Sequence, residues 1–507
     1  MNTKKLFTDT PVWKSLLIMS LPAVIISLVT GAYLFSDTIL SVNLASEEYS
    51  NNILSNTISG KDQVRLFMNG YGPINALMLA FTLLFGLGTA TRTSINLGAK
   101  NKDRAINSMR TGFTTGMALS IIMVPILFFS AKPWIGAQFD NNKTIVNESF
   151  NYAWIIIVSF PMMMFNQIIP ALFRTEGRNK ETMIAMVLPI GINLLMDWVM
   201  MGPASMGVEG GAWATFISTA ITTTLLLIFM MKKNHLVTLK NIFHFKGIKL
   251  ISIIGIMLVG IAPFIRNVAQ SITSTVQMTA MSDVSNALYG NPTYMKILIT
   301  GAMPIFMLFF PLVFGFAQGA RPLASFFYGA KEYEKVKKVY WYTILYSSIM
   351  CVFIYFMGAW ALATPLIKAL GVSGPAVDKT KSVIRIMLLL LITFSFALGG
   401  MILFGSTDRL ILSIISSAFQ GLIVFWPTLY SFRALAIHFT EYEFLFWWFW
   451  PTTGLLSSFV VGILTIWALK KLGKDSNKPS LDEKIESLHK WARNRRVQRK
   501  EKRKINN

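Results

Sequence analysis

Twelve stretches of about twenty mainly apolar residues, each long enough to cross the hydrocarbon core of a bilayer, constrain this chain more than any other feature. They run over 15–39, 67–91, 112–130, 152–173, 183–202 and 210–231, then 250–281, 297–320, 339–363, 383–404, 410–430 and 444–469. Lipid offers no water to bare N–H and C=O groups, so segments of this length must satisfy their backbone internally, as helices. The fold expected is an all-α polytopic membrane protein with twelve transmembrane helices. Composition agrees, because 14% of the residues are charged against about 25% in globular domains. The first stretch exceeds the ~7–15 residues of a signal-peptide core and shows no small-residue cleavage site, so it reads as a mature helix. The single Cys351 lies within a span, which excludes an intramolecular disulfide framework and says nothing of the redox compartment.

The spans are arranged as a repeat. Pro73-Ile74 returns as Pro304-Ile305, Gly98-Ala99-Lys100 as Gly329-Ala330-Lys331, and Phe173…Arg178 as Phe404…Arg409, each 231 positions on. That period is far longer than the ~20–50 residues of solenoid arrays. Doubled halves are how many secondary transporters build a site between two units. The division expected is an N-terminal segment (1–12), a first six-helix bundle (13–232), a linker (233–248), a second six-helix bundle (249–470) and a basic tail (471–507).

With an even number of spans both ends share one face, and the lysines and arginines collect there: Lys4 and Lys5, Lys100, Lys102 and Arg104, Arg174 and Arg178, the 232–249 stretch, and Lys331 to Lys338. The other face holds Glu47, Glu48, Asp62, Glu209, Glu441 and Glu443, with Lys368, Lys379 and Lys381 as exceptions. Both termini are therefore expected in the cytoplasm and the chain in the plasma membrane. The net charge of +23 serves topology first, and nucleic acid is not an expected partner. In the tail, Ser480 and Glu483 fit a capping box ahead of Leu481, Ile485, Leu488 and Ala492 on one helical face. Two readings stand: a basic amphipathic helix on anionic lipid headgroups, or a solvated end. Residues 446–450 (FWWFW) read as an interfacial aromatic belt.

Ionisable groups inside a span cost ~2.5–3.5 kcal/mol each on insertion scales, so they mark function or a buried partner. Thr30, Tyr33 and Asp37 form a polar stripe in the first span, with Pro22 deeper, where a helix can bend. Asn193 and Asp197 share a face of the fifth span, and Thr215 in the sixth reaches a similar depth by residue count. Carboxylates with amide and hydroxyl oxygens suit Na⁺ or a proton shared between two acids. The plain alternative is that Asp37 caps a helix end and Asp197 is a wetted acid. Arg266, too deep to snorkel easily, reads as the partner of an acid, an anionic-substrate contact or a gate residue. Tyr33 and Gln270 join it as candidate substrate or gate contacts. Arg92 and Arg321, at corresponding cytoplasmic span ends, read as interface anchors, with a role in closing the inward mouth as the alternative. No P-loop pattern supplies an ATP site and no zinc spacing is present, so neither a cofactor nor catalysis is expected and energy should come from an ion gradient.

At these residues the chain resembles the multidrug and toxic compound extrusion (MATE) family, nearer its DinF-like branch. The likeness is carried by Gly88 to Lys102, Phe173 to Asn179 (FRTEGRN), Asn193 to Asp197, Met206 to Thr215 and Gly315 to Lys331, and it extends from about Trp13 to Leu469. It implies two six-helix bundles around a central V-shaped cavity, with export coupled to inward Na⁺ or H⁺. The family's cation site falls on Asp37, Asn193, Asp197 and Thr215, and its bending first helix on Pro22. Some members place another acid in span seven, where this chain has Arg266, Gln270 and Gln277, so coupling is assigned to the first half alone. The cargo expected is an amphipathic or cationic small molecule exported by alternating access. The alternatives are a flippase or exporter of a lipid-linked or anionic amphiphile, or a non-transporting scaffold acting through its tail. A monomer is expected.

Overall fold

The computed structural model describes residues 10–48, 64, 67, 70–137, 142–232, 235–243, 250–291, 294–370, 374 and 376–473. The basic tail, most of the polar loop at 41–65 and part of the linker lie outside the described residues, and with them the proposed lipid-headgroup contact of the tail.

The first half comprises α1 (Val12–Glu48), α2 (Gly72–Gly98), α3 (Lys102–Gly136), α4 (Lys143–Val158), α5 (Phe160–Thr175), α6 (Asn179–Met201) and α7 (Gly207–Met230). The second comprises α8 (Leu250–Tyr289), α9 (Tyr294–Gly329), α10 (Tyr333–Phe356), α11 (Ala376–Ser406), α12 (Leu410–Ala418), α13 (Phe425–His438) and α14 (Phe449–Lys471). Among the described residues eleven helices are long and apolar enough to span a membrane, and α4 with α5 makes a twelfth crossing bent by 47°. That bend has a local cause. Pro161 lacks the N–H that would bond to Ile157, so the helical ladder breaks there. A π-helical turn at Phe419–Ile423 separates α12 from α13 within one crossing.

The repeat is visible at atomic scale. Both α2 and α9 end at Gly-Ala-Lys, with Lys100 and Lys331 in the left-handed region at φ 60° and 59°. In each, the next N–H reaches back five residues to a helix carbonyl, Asn101 to Asn96 and Glu332 to Phe327, both at 2.9 Å. This is the Schellman closure, which satisfies carbonyls the helix end would leave bare. The two stops also touch. A Cβ on Gly98 would fall 2.0 Å from the Phe326 carbonyl oxygen, and one on Gly329 would fall 2.0 Å from that of Ile95. Glycine at both positions lets the halves meet backbone to backbone on the lysine-rich face where α1 begins and α14 ends.

Two large hydrophobic cores result, one per half, beside a small third cluster around Phe67 and Met201, but the first helix of each half reaches across. Leu16, Met19 and Val24 of α1 belong to the second core, and Ile256 of α8 to the first. The helix α1 makes its most extensive contact with α9, and α8 with α2. The expected aromatic belt is corrected here: Phe446, Trp447 and Phe449 are fully buried in the second core and Trp448 alone is exposed. A span entrance is also where the bundle closes, and the bundle's demand for aromatic volume wins.

On the lysine-rich face the FRTEGRN segment acts as a knot. The Arg178 guanidinium stacks on Phe173, 3.9 Å from the ring centre, pairs with Glu181 and donates to the carbonyls of Phe229 and Val237. Glu176 accepts from the N–H groups of Leu236 and Val237, which fixes the start of the linker to the first half. Arg92 of α2 is not a snorkelling anchor. It is 2% exposed and pairs with Asp408 at 3.2 Å, tying the halves together.

Candidate functional site

Two polar interiors stand out, one inside the first bundle and one between the bundles. In the first, α1 supplies Tyr33 and Asp37, one helical turn apart, and α6 supplies Asn193 and Asp197 with the same spacing. The Asp37 and Asp197 carboxyls lie close enough to interact directly, and Ser41, a turn beyond Asp37, lies beside it. From α7, Thr215 faces the Tyr33 hydroxyl. One turn on, Ser218 donates to the Thr215 carbonyl at 3.0 Å and accepts from Asn193 Nδ2 at 3.2 Å. The Asn193 amide is thereby oriented, with its carbonyl oxygen left without a partner.

The structure thus brings together Asp37, Asn193, Asp197 and Thr215, with Tyr33 among them. Asp197 is 0% exposed, and neither of its oxygens has a protein donor. Among the described residues no lysine, arginine or histidine pairs with either acid. Two ionised carboxylates facing each other in a low-dielectric interior repel strongly. A proton or a hard, oxygen-preferring cation between them removes that penalty, and every side-chain donor present is oxygen or amide. Tyr152 of α4 also faces both acids, with its ring tilted 5.6 Å from that of Tyr71. Sequence reading passed over Tyr152, because nothing in its own span marks the face turned toward α1. Pro22 lies fifteen residues before Asp37, about 22 Å along the helix, and α1 runs unbroken through it.

The second interior is a cavity of about 430 Å³ bounded by α2 and α5 of the first half and by α8, α9, α11, α13 and α14 of the second. Its volume falls in the usual range for small-molecule sites. Three arginines line it, Arg174, Arg266 and Arg321, with Gln167, Gln270, Gln277, Gln318 and Gln420, and among the described residues no aspartate or glutamate does. Among the described residues Arg266 has no acidic partner, in contrast to the pairing expected of it. Its Nη1 contacts the Met401 sulfur at 3.2 Å, and its guanidinium lies 5.3 Å from the Phe314 ring centre. Arg321 is no surface anchor either, since its Nη1 is buried without a partner. It sits two positions off the repeat equivalent of Arg92, and two residues turn a helix by about 200°. Arg92 therefore faces the seam and Arg321 the cavity. Tyr33 and the methionines at 162–164, 196, 200 and 201 do not line this space, whereas Met303, Met307 and Met401 do.

Comparison with known proteins agrees with this architecture. The MatE family model matches residues 68–199 and 299–424, two segments that begin one repeat apart. An uncharacterized MG447 homolog of Mycoplasmoides gallisepticum is 25% identical, with 91% of this chain and 90% of that protein covered. The multidrug export protein MepA of Staphylococcus haemolyticus is 24% identical over 63% of this chain and 65% of its own length. Among solved structures, an outward-facing multidrug resistance MATE family transporter of the MOP superfamily superposes with a TM-score of 0.80 at 18% identity. It covers 93% of this chain and 99% of its own. A doubled family match, on a twelve-crossing fold shared over nearly the whole membrane region, shows that the chain belongs to the MatE family of multidrug and toxic compound extrusion transporters.

Proposed function

We propose that this protein is an ion-coupled antiporter of the plasma membrane, both termini cytoplasmic, that exports amphipathic small molecules by alternating access. Inward Na⁺ or H⁺ binds at Asp37, Asn193, Asp197 and Thr215, and cargo occupies the cavity between the bundles. The observation that carries this reading is the Asp37–Asp197 pair, brought together from two different helices with Asp197 fully buried and, among the described residues, no cationic side chain paired to either. An empty pair disfavours close approach of α1 and α6, and a bound cation favours it. Because α1 also packs along α9, a shift of α1 is felt at the cavity wall. The multidrug export named for the staphylococcal relative supports an amphipathic cargo.

The test is movement of an amphipathic dye into everted vesicles under imposed Na⁺ or pH gradients. Dependence on one gradient, lost in Asp37→Asn and in Asp197→Asn, is expected. Dye movement indifferent to both gradients, or unchanged in both variants, would overturn the reading. Deleting the chain after Lys470 should leave transport intact.

A further inference from the structure

Resting on the reading of the central cavity as the cargo site, we infer that its ligand is an amphiphile with an anionic head group, a phosphate, sulfonate or carboxylate. The head is held by Arg174, Arg266 and Arg321 together with Gln420. A guanidinium stays protonated under all ordinary conditions, so these three side chains cannot shed their charge as a buried lysine or carboxyl can. Among the described residues none of them has a carboxylate partner. The contacts recorded for Arg174 and Arg266 are to the sulfurs of Met186 and Met401 and to an aromatic face, and those are weak substitutes for an oxyanion. Arg266 and Arg321 are near enough for their charges to repel. Uncompensated charge in a protein interior is expensive, and a bound anion is the group that compensates it. A cation would instead meet three like charges and no acid.

Gln420 is a second, independent sign of a ligand. It lies in the π-helical turn that interrupts the crossing of α12 and α13, a local distortion often found at functional sites. It lines the cavity at 9% exposure, and neither its amide nitrogen nor its oxygen has a partner. The same turn brings Gly421 against the backbone of Arg266. Arg321 lies eight residues, about 12 Å, from the end of α9, and Arg174 lies in the last turn of α5, so two of the three guanidinium groups sit in the half of the cavity nearer the lysine-rich face, with Arg266 deeper. Toward the other face the wall is aromatic, with Phe306 and Phe310 stacked 5.2 Å apart and Trp450 beside Phe306 at 5.7 Å. Charge at one end and aromatic surface at the other is the complement of an anionic amphiphile.

The decisive experiment measures equilibrium binding of octyl phosphate and octyltrimethylammonium, matched in chain length and opposite in charge, to the full-length protein in phosphatidylcholine nanodiscs without any ion gradient. Octyl phosphate should bind at least tenfold more tightly. Arg266→Gln and Arg321→Gln should each weaken it by roughly tenfold or more, the usual loss for a charged hydrogen-bond partner, and Arg266→Lys should weaken it less. Nanodiscs doped with phosphatidylglycerol separate two sources of such a ligand: competition points to a lipid headgroup, and its absence to a free organic anion. Equal or tighter binding of the ammonium compound by the unmodified protein overturns the inference, whether or not any variant folds. So does binding of octyl phosphate that both glutamine variants leave unchanged. No gradient is involved, so failure here leaves the aspartate coupling site standing, and failure of the dye assay leaves the anion site standing.

Discussion

Between α1 and α6 the first bundle sets Asp37 against the fully buried Asp197, with no cationic side chain paired to either among the described residues, whereas between the bundles the described cavity lining gathers three guanidinium groups and no carboxylate. Under the proposed assignment of coupling ion and cargo, the two interiors select ligands of opposite sign, and a cation that fits one is repelled by the other. On that assignment exchange does not proceed by direct competition for a shared site. Coupling must pass through the protein, and α1 is the element placed to carry it, with Asp37 on one face and its packing against α9 on another.

The contrast is sharpened most by the charge moved per cycle. If one monovalent cation enters while one monovalent anion leaves, two positive charges move inward, about 4.6 kcal/mol per 100 mV at ~2.3 kcal/mol per charge. A neutral cargo would give half of that, and exchange of one monovalent cation for another would give none. Proteoliposomes clamped at a series of potentials should show the two-charge slope with octyl sulfonate, which is monovalent at any ordinary pH, and an electroneutral cycle would break the comparison.

Smaller effects come from the seam that joins the two interiors. Gly98→Ala and Gly329→Ala each place a methyl group against a backbone carbonyl of the other half, so each should destabilise the closed seam by roughly 1–3 kcal/mol. The repeat makes the two contacts equivalent, and thermal unfolding should report similar losses. Labelling of a cysteine placed at Thr91, on the cavity wall, should rise from the lysine-rich face in both variants. A loss in one alone would show that the halves bear unequally on the seam.

The smallest effect is a control outside both interiors. Glu443 accepts from Tyr289 at 2.5 Å and pairs with Lys379 on the opposite face. Burial pulls its carboxyl up, but the bonds from Lys379 and Tyr289 outweigh burial and hold it below the usual range. The sign follows: this pairing stabilises the fold above the unfolded value of ~4.3 and is lost as pH falls through the lower folded value. Glu443→Gln should cost about 0.2–1 kcal/mol near neutrality and leave both cation and anion binding unchanged.

Much of this was legible in the chain and some was not, for physical reasons. The twelve crossings follow from span length, and the acid site from i,i+4 spacing plus a count of depth, because both are properties of single helices. Tyr152 escaped because its role depends on which face a neighbouring span turns inward. Arg321 was misread as an anchor because a two-residue offset from Arg92 looks minor in sequence and is more than half a turn on a helix. The aromatic run at 446–450 has the composition of an interface, and core packing claims most of it.

The most direct measurement is cation binding to the purified protein, by titration calorimetry with Na⁺ and by proton release on adding it, for the unmodified chain, the Asp37→Asn/Asp197→Asn double variant and Arg266→Gln. One site per chain, lost in the double variant and kept in Arg266→Gln, is the expected result. Binding that survives loss of both aspartates, or that disappears with Arg266, would contradict the separation of the two interiors.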